Sequence, residues 1–158
     1  MKEIILTKGY VALVDDCDYE KVAIHSWYAA TTTYRADGTP RIYAAKGTNP
    51  CYMHRFILQA AKLTMVDHID GNTLNNQRAN LRLCTNAENS RNSKGTKGTT
   101  SKYKGVHFRR AGQDWLAQIT CNYKNIYIGI YKTEVLAAKA YDQKAKELFG
   151  AFARCNFN

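Results

Sequence analysis

Val66-Asp67-His68-Ile69-Asp70-Gly71-Asn72, followed by Asn75-Asn76, Asn80-Leu81-Arg82-Leu83 and Thr85-Asn86-Ala87-Glu88-Asn89, is the stretch on which the reading of this chain turns. Val66-Asp67-His68 is short and extended, and it runs into Asp70-Gly71-Asn72, which forces a turn. Asn80-Leu81-Arg82-Leu83 reads as the returning strand. Thr85-x-x-Glu88 is a capping-box signature, so a helix begins near Asn86 and carries Asn89 in its first turns. The predicted order is strand, long loop, strand, helix.

In that order Asp67 and Asn89 can meet on either side of one hard divalent cation, because carboxylate and amide oxygens suit Mg²⁺ or Mn²⁺. His68, with an ordinary pKa of about 6.5, is suited to take a proton from an attacking water near neutral pH. Asn80 joins His68 in the catalytic set as the residue that orients the loop or the His68 backbone. A metal ligand beside a general base is what phosphodiester hydrolysis needs. Successive strand residues face opposite ways, so Asp67 and His68 meet one metal only if the strand twists as it enters the turn. A polar turn without chemistry is the alternative, and the coincidence of Asn80, Glu88 and Asn89 argues against it.

Charge gathers away from this stretch. Residues 1–50 are neutral overall, residues 51–93 carry +2, and residues 94–158 carry +8 of the chain's +10. A basic excess collected at one end is what binding to a phosphate backbone produces. The 158 residues, 45% apolar and 11% aromatic, suit two modest cores better than one large one. No apolar run approaches the roughly 20 residues that cross a bilayer, and Lys8-Gly9 breaks the N-terminal apolar run before a secretory signal forms. A soluble, non-exported protein is expected. Five scattered cysteines without a Cys-x-x-Cys pair point to reduced thiols in a cytosolic setting, so any metal is held by oxygen and nitrogen.

The expected architecture is α+β. Residues 1–50 form a β-rich N-terminal region in which Ile4-Ile5-Leu6, Tyr10–Val14, Trp27–Thr31 and Arg41–Ala44 are strands, with Asp37-Gly38 a hairpin turn. His25 reads there as a packed or surface histidine. Residues 51–93 form the catalytic unit, opened by a short helix within Tyr52–Ala61; His54 and Arg55 on it either back the ligands, touch phosphate, or only pack. Residues 94–102 are a basic flexible linker, too polar to order themselves. Residues 103–158 hold three antiparallel strands, near 103–109, 115–120 and 125–131. A helix capped by Thr133 and stopped by Gly150 packs on them through Ala137, Tyr141, Ala145 and Leu148.

His68, Asn80 and Asn89 resemble the three defining positions of the HNH (ββα-metal) endonucleases, in the phage homing variant where asparagine replaces the last histidine. The resemblance covers roughly residues 51–93. It implies a one-metal nuclease with Asp67 and Asn89 as ligands and His68 as general base; the neutral oxygen of Asn89 favours magnesium or manganese over zinc. Residues 103–158 resemble the AP2/ERF DNA-binding domain at Tyr103-x-Gly105-Val106, Trp115-x-Ala117-x-Ile119, Gly129, Tyr131, Ala137-Ala138-x-Ala140-Tyr141-Asp142, Gly150 and Asn156-Phe157. That family lays its sheet in the major groove. The implied DNA-binding residues are Lys104, His107, Arg109, Gln118, Thr120, Asn125 and Tyr127.

The sheet candidates also have a chemical warrant. Lys104 and Arg109 suit phosphate or guanine, Gln118 and Asn125 suit adenine, and Tyr127 can stack on sugar or base. Together the residues imply a metal-dependent endonuclease on double-stranded DNA, of the homing or mobile-element kind, monomeric, with no membrane partner. Its expected setting is the cytoplasm of a bacterial or phage-infected cell. A non-catalytic AP2-like regulator is the competing reading, and an RNA-binding module is a third.

Overall fold

A computed structural model describes residues 1–34, 38–93 and 100–157. Asp37 of the expected hairpin turn and residues 94–99 of the expected linker lie outside the described residues. Contacts group the chain into two units, Met1–Asn89 and Ser90–Asn158.

The first unit is built from short ribbons. β1 (Lys2–Ile5) and β2 (Val11–Val14) pair antiparallel. β3 (Tyr28–Tyr34) and β4 (Pro40–Lys46) form a second hairpin, to which the two-residue β5 (Cys51–Tyr52) adds. Between the ribbons sits α1 (Asp16–Ala23), a helix that the strand pattern of residues 1–50 does not announce. Only Val22 among its apolar side chains is buried, so its amphipathic signal is faint. α2 (Met53–Leu58) follows β5 directly and ends at Gln59 in the left-handed region, φ 50°. β6 (Met65–His68) and β7 (Leu81–Cys84) pair antiparallel, and α3 (Asn86–Arg91) follows.

One apolar core runs through all of this. Ile4, Leu6, Val14, Val22, Trp27, Ile42 and Ala44 from the first fifty residues pack with Met53, Ile57 and Leu81. Burying a large apolar side chain stabilises by about 1.5–3 kcal/mol. Neither the first fifty residues nor the strand pair after them encloses this core alone.

The second unit is a three-stranded antiparallel sheet, order β10-β9-β8, with α4 (Glu134–Phe149) against it. β8 spans Val106–Arg109, β9 Asp114–Cys121 and β10 Lys124–Tyr131. Thr133 accepts from the Leu136 N–H at 3.2 Å and caps α4, and Gly150 follows the last turn at φ 52°. Ala137, Ala138, Tyr141, Ala145 and Phe149 of the helix are buried with Val106, Ala117 and Ile119 of the sheet. A polar knot secures the tail: Asp142 accepts from the backbone N–H groups of Asn156 and Phe157 at 2.7 and 2.8 Å. The Asn156 amide in turn accepts from the Lys104 N–H at 2.7 Å.

Candidate active site

β6 and β7 face each other rung by rung, with Asp67 opposite Arg82 and His68 opposite Leu81. Pairing continues through His68, so Asp67 and His68 project to opposite faces of the last two rungs. Both are nevertheless buried, at 6% and 5% exposure. Asp67 turns to Arg82, whose Nε and Nη2 donate to Oδ2 at 2.9 and 2.7 Å.

His68 turns into an aromatic nest. Its ring centroid lies 5.0 Å from that of His54, edge to face, and 6.0 Å from that of Tyr43. Tyr52 stacks on the far side of His54 at 5.7 Å. Burial pushes the His54 pKa down to about 3, with the nearby His68 and Arg55 adding to the shift. That imidazole is therefore neutral at physiological pH. Burial also lowers the His68 pKa, opposed by its hydrogen bond with Asn76 and by the carboxylates of Asp70 and Asp67. A neutral imidazole at pH 7 is the form that accepts a proton.

Asn80 organises the loop between the strands. Its Oδ1 accepts from the Asp70 N–H at 3.0 Å, and its Nδ2 donates to Asp70 Oδ1 at 3.0 Å and to the Asn75 carbonyl at 2.8 Å. The Asn80 carbonyl accepts from the Ile69 N–H at 2.9 Å, one residue beyond His68. These bonds hold the loop.

The first fifty residues grip the same loop from outside. The Leu13 N–H donates to the Leu74 carbonyl, and the Asn76 N–H donates back to Leu13, both at 2.8 Å. Asp15 accepts from the Arg78 N–H at 2.7 Å and from Gln77 Nε2 at 3.1 Å. Asp18, buried on α1, takes the Arg78 guanidinium at 2.6 and 2.8 Å. Asn76, Arg82, Tyr43 and the Asp18–Arg78 pair have no assignment from sequence alone. Asn76 and Arg82 stand inside the quoted motif, but nothing local gives them partners.

Arg55 serves the backbone: it donates to the carbonyls of Thr64 and Ala61 at 2.5 and 2.7 Å and secures the turn into β6. Asn89 lies half-buried on α3, its N–H bonded to the Thr85 carbonyl at 3.0 Å. The capping box forms as read, with Glu88 Oε2 accepting from the Thr85 N–H at 2.7 Å.

No group of three or more His, Cys, Asp or Glu among the described residues is arranged to hold a metal. An Asp67–Asn89 pair would instead bring one carboxylate and one amide, and that donor set fits a hard cation. The thiol beside it does not compete: burial, Asp67 and Glu88 all keep Cys84 protonated. The same Asp67 carboxylate is held by Arg82 at 2.7 Å.

In the second unit, strand register places Arg109 and Asp114, His107 and Leu116, Gln118 and Tyr127, and Thr120 and Asn125 as cross-strand pairs. By alternation these share one face, and Val106, Trp115, Ala117 and Ile119 share the other, against α4. Six of the seven expected DNA contacts thus stand together. Four of them bond in pairs, His107 with Gln118 at 3.2 Å and Thr120 with Asn125 at 2.6 Å, and Arg109 forms an ion pair with Asp114 at 3.5 Å. Tyr127 is 64% exposed. Lys104 stands apart from the sheet, donating to the carbonyls of Arg91 and Ser93, each at 2.7 Å. Burial first, then Arg154, pushes its pKa down to about 8.

Residues 51–91 match the model of an HNH endonuclease family. Across nearly its whole length the chain is similar to a protein of Acanthamoeba polyphaga mimivirus named as an uncharacterized HNH endonuclease. The two are 35% identical over 155 residues, 94% of this chain and 76% of that protein. The chain belongs to the HNH endonuclease family. This HNH endonuclease is also 37% identical over 90 residues to Protein 3.8 of Escherichia phage T7, covering 56% of the chain and 73% of that protein. A partial match, 40% identical over 73 residues, joins it to the ethylene-responsive transcription factor ERN3 of Medicago truncatula. It takes in 45% of the chain and 30% of the plant protein. No helix among the described residues is long and apolar enough to cross a membrane.

Proposed function

We propose that this HNH endonuclease is a metal-dependent enzyme that hydrolyses phosphodiester bonds in duplex DNA and acts within a phage or mobile element, in the cytoplasm of the host cell. The observation that carries the reading is His68. It is a buried imidazole held neutral at the mouth of a loop braced by Asn80, one residue from a buried carboxylate.

In this reading His68 takes a proton from the attacking water. Asn80 keeps the loop from shifting the histidine during that transfer. Asp67 and Asn89 would hold the divalent cation, magnesium or manganese, and the reading requires the strand end that carries Asp67 and His68 to twist when that cation binds. When bound, that cation supplies polarisation of the phosphate and compensation of the charge developing on the leaving 3′ oxygen. Arg109, His107, Gln118, Thr120, Asn125 and Tyr127 present the sheet face to the duplex, and the AP2/ERF likeness supports that assignment. A separate anchor suits a catalytic unit this small, which buries little surface of its own for specificity. Lys104 enters the proposal as a brace of the segment before the sheet, in addition to its expected place as a DNA contact.

The test is cleavage of supercoiled plasmid with Mg²⁺ or Mn²⁺ added or chelated, run beside His68→Ala and Asp67→Ala. Metal-dependent nicking or linearisation, lost in both variants while duplex binding persists, is the expected result. Normal cleavage by His68→Ala sinks the mechanism. Duplex binding without cleavage, on a plasmid carrying the bound site, points to the non-catalytic regulator.

A further inference from the structure

Beneath His68 lies a side chain that the nuclease reading leaves without a task. Asn76 is 1% exposed, and its Oδ1 faces His68 Nε2 at 3.4 Å. A buried amide this close to an imidazole is a structural commitment, since every polar atom it brings inside must find a partner.

The orientation of that amide follows from its neighbours. Asn76 Nδ2 donates to the Leu74 carbonyl at 3.1 Å. A flipped amide would set two oxygens against each other there, so Oδ1 is the atom turned to the imidazole. The backbone on either side is pinned: Leu13 of β2 bonds both Leu74 and Asn76 at 2.8 Å, and β2 forms a parallel bridge to Asn75. An acceptor oxygen held from three sides can be satisfied by the ring only if the ring nitrogen carries hydrogen.

We propose that Asn76 is a positioning residue for the base: its Oδ1 keeps the His68 proton on Nε2 and so leaves the lone pair on Nδ1, the nitrogen that receives the proton from water. The inference rests on the reading of His68 as general base. In the balanced step the water proton passes to Nδ1, the water oxygen bonds phosphorus, and the bond from phosphorus to the 3′ oxygen breaks. The 3′ oxygen then takes its proton from solvent. Imidazolium formed in this way keeps its Nε2–H on Asn76, so the amide serves before and after transfer. The first fifty residues thereby have a share in catalysis without touching substrate, through the Leu13 backbone that fixes Asn76.

The decisive experiment is long-range ¹H–¹⁵N correlation of the histidine rings in the full chain, metal-free and at about pH 8 where imidazole is neutral. His68 is assigned by the signal that disappears in His68→Gln. The wild-type ring is expected as the Nε2–H tautomer, and as a mixture in Asn76→Leu. In plasmid cleavage Asn76→Leu is expected to lower kcat about 10–100-fold with KM for DNA within about twofold. A wild-type ring protonated on Nδ1 overturns the proposal, and this measurement does not need Asn76→Leu to fold. So does an Asn76→Leu protein whose tautomer and kcat both match the wild type. The two readings fail separately: normal cleavage by His68→Ala removes the base and leaves the tautomer result standing. A wrong tautomer beside an inactive His68→Ala removes only Asn76.

Discussion

Replacing Asp18 with asparagine should loosen the first unit by an amount the structure allows to be worked out. The carboxylate is 3% exposed and accepts two hydrogen bonds from Arg78, at 2.6 and 2.8 Å, while the arginine itself is 46% exposed. Bonds to charged groups contribute about 1.5–3 kcal/mol each, and breaking a buried pair costs about 3–5 kcal/mol when the orphaned charge cannot reach water. Arg78 can reach it, which places the loss at about 2–3 kcal/mol. The Arg78 partnership holds the Asp18 pKa below the ordinary carboxylate range. Its contribution is therefore full above about pH 4 and fades as pH falls through the depressed folded value. Urea unfolding followed by Trp27 in a Trp115→Phe background should show the Asp18→Asn midpoint about 1–2 M lower at neutral pH. The gap between the two proteins should close in strong acid, where the wild-type carboxyl is also neutral. A neutral-pH shift under about 0.3 M, or a gap that survives in acid, would refute the argument.

Gly105→Ala should destabilise the second unit by about 3 kcal/mol or more, read by thermal unfolding of Trp115 fluorescence in a Trp27→Phe background. Gly105 sits at φ 75°, and an added Cβ would overlap the Tyr141 ring and lie 2.6 Å from the Gln118 carbonyl oxygen. Arg109→Ala should weaken duplex binding and, for a phosphate contact, reduce the slope of log affinity against log salt by about one. Filter binding over a salt series checks this, and an unchanged slope assigns Arg109 to its ion pair with Asp114 alone.

Where a feature depends on neighbours in sequence, the residues announce it. Thr85 and Glu88 close a capping box, Thr133 caps α4 through the Leu136 N–H, and alternation sorts Val106 from His107 on β8. The loop after His68 follows from Asp70-Gly71-Asn72 and its asparagines. Features that depend on distant partners stay hidden. Nothing near Asp18 says that Arg78, sixty residues on, will meet it and tie α1 to the loop. Asn76 and Arg82 are visible as letters of the motif, but their tasks come from Leu13 and Asp67 across the fold. Lys104 reads as a DNA contact from the AP2/ERF resemblance and from its charge; the carbonyls of Arg91 and Ser93 that take its ammonium leave no local trace in the sequence.

The single core of the first unit bears on how this enzyme could be re-engineered. A chimera joined at residue 50 would strip Met53, Ile57 and Leu81 of the side chains that cover them, and the transplanted piece would arrive with its interior open to water. A seam just past the end of α3, close to where the contacts divide, keeps that helix and leaves each apolar interior whole. The smallest piece that carries the HNH motif with its interior closed is thus about twice the length of that motif, and a transplant has to carry the opening ribbons along.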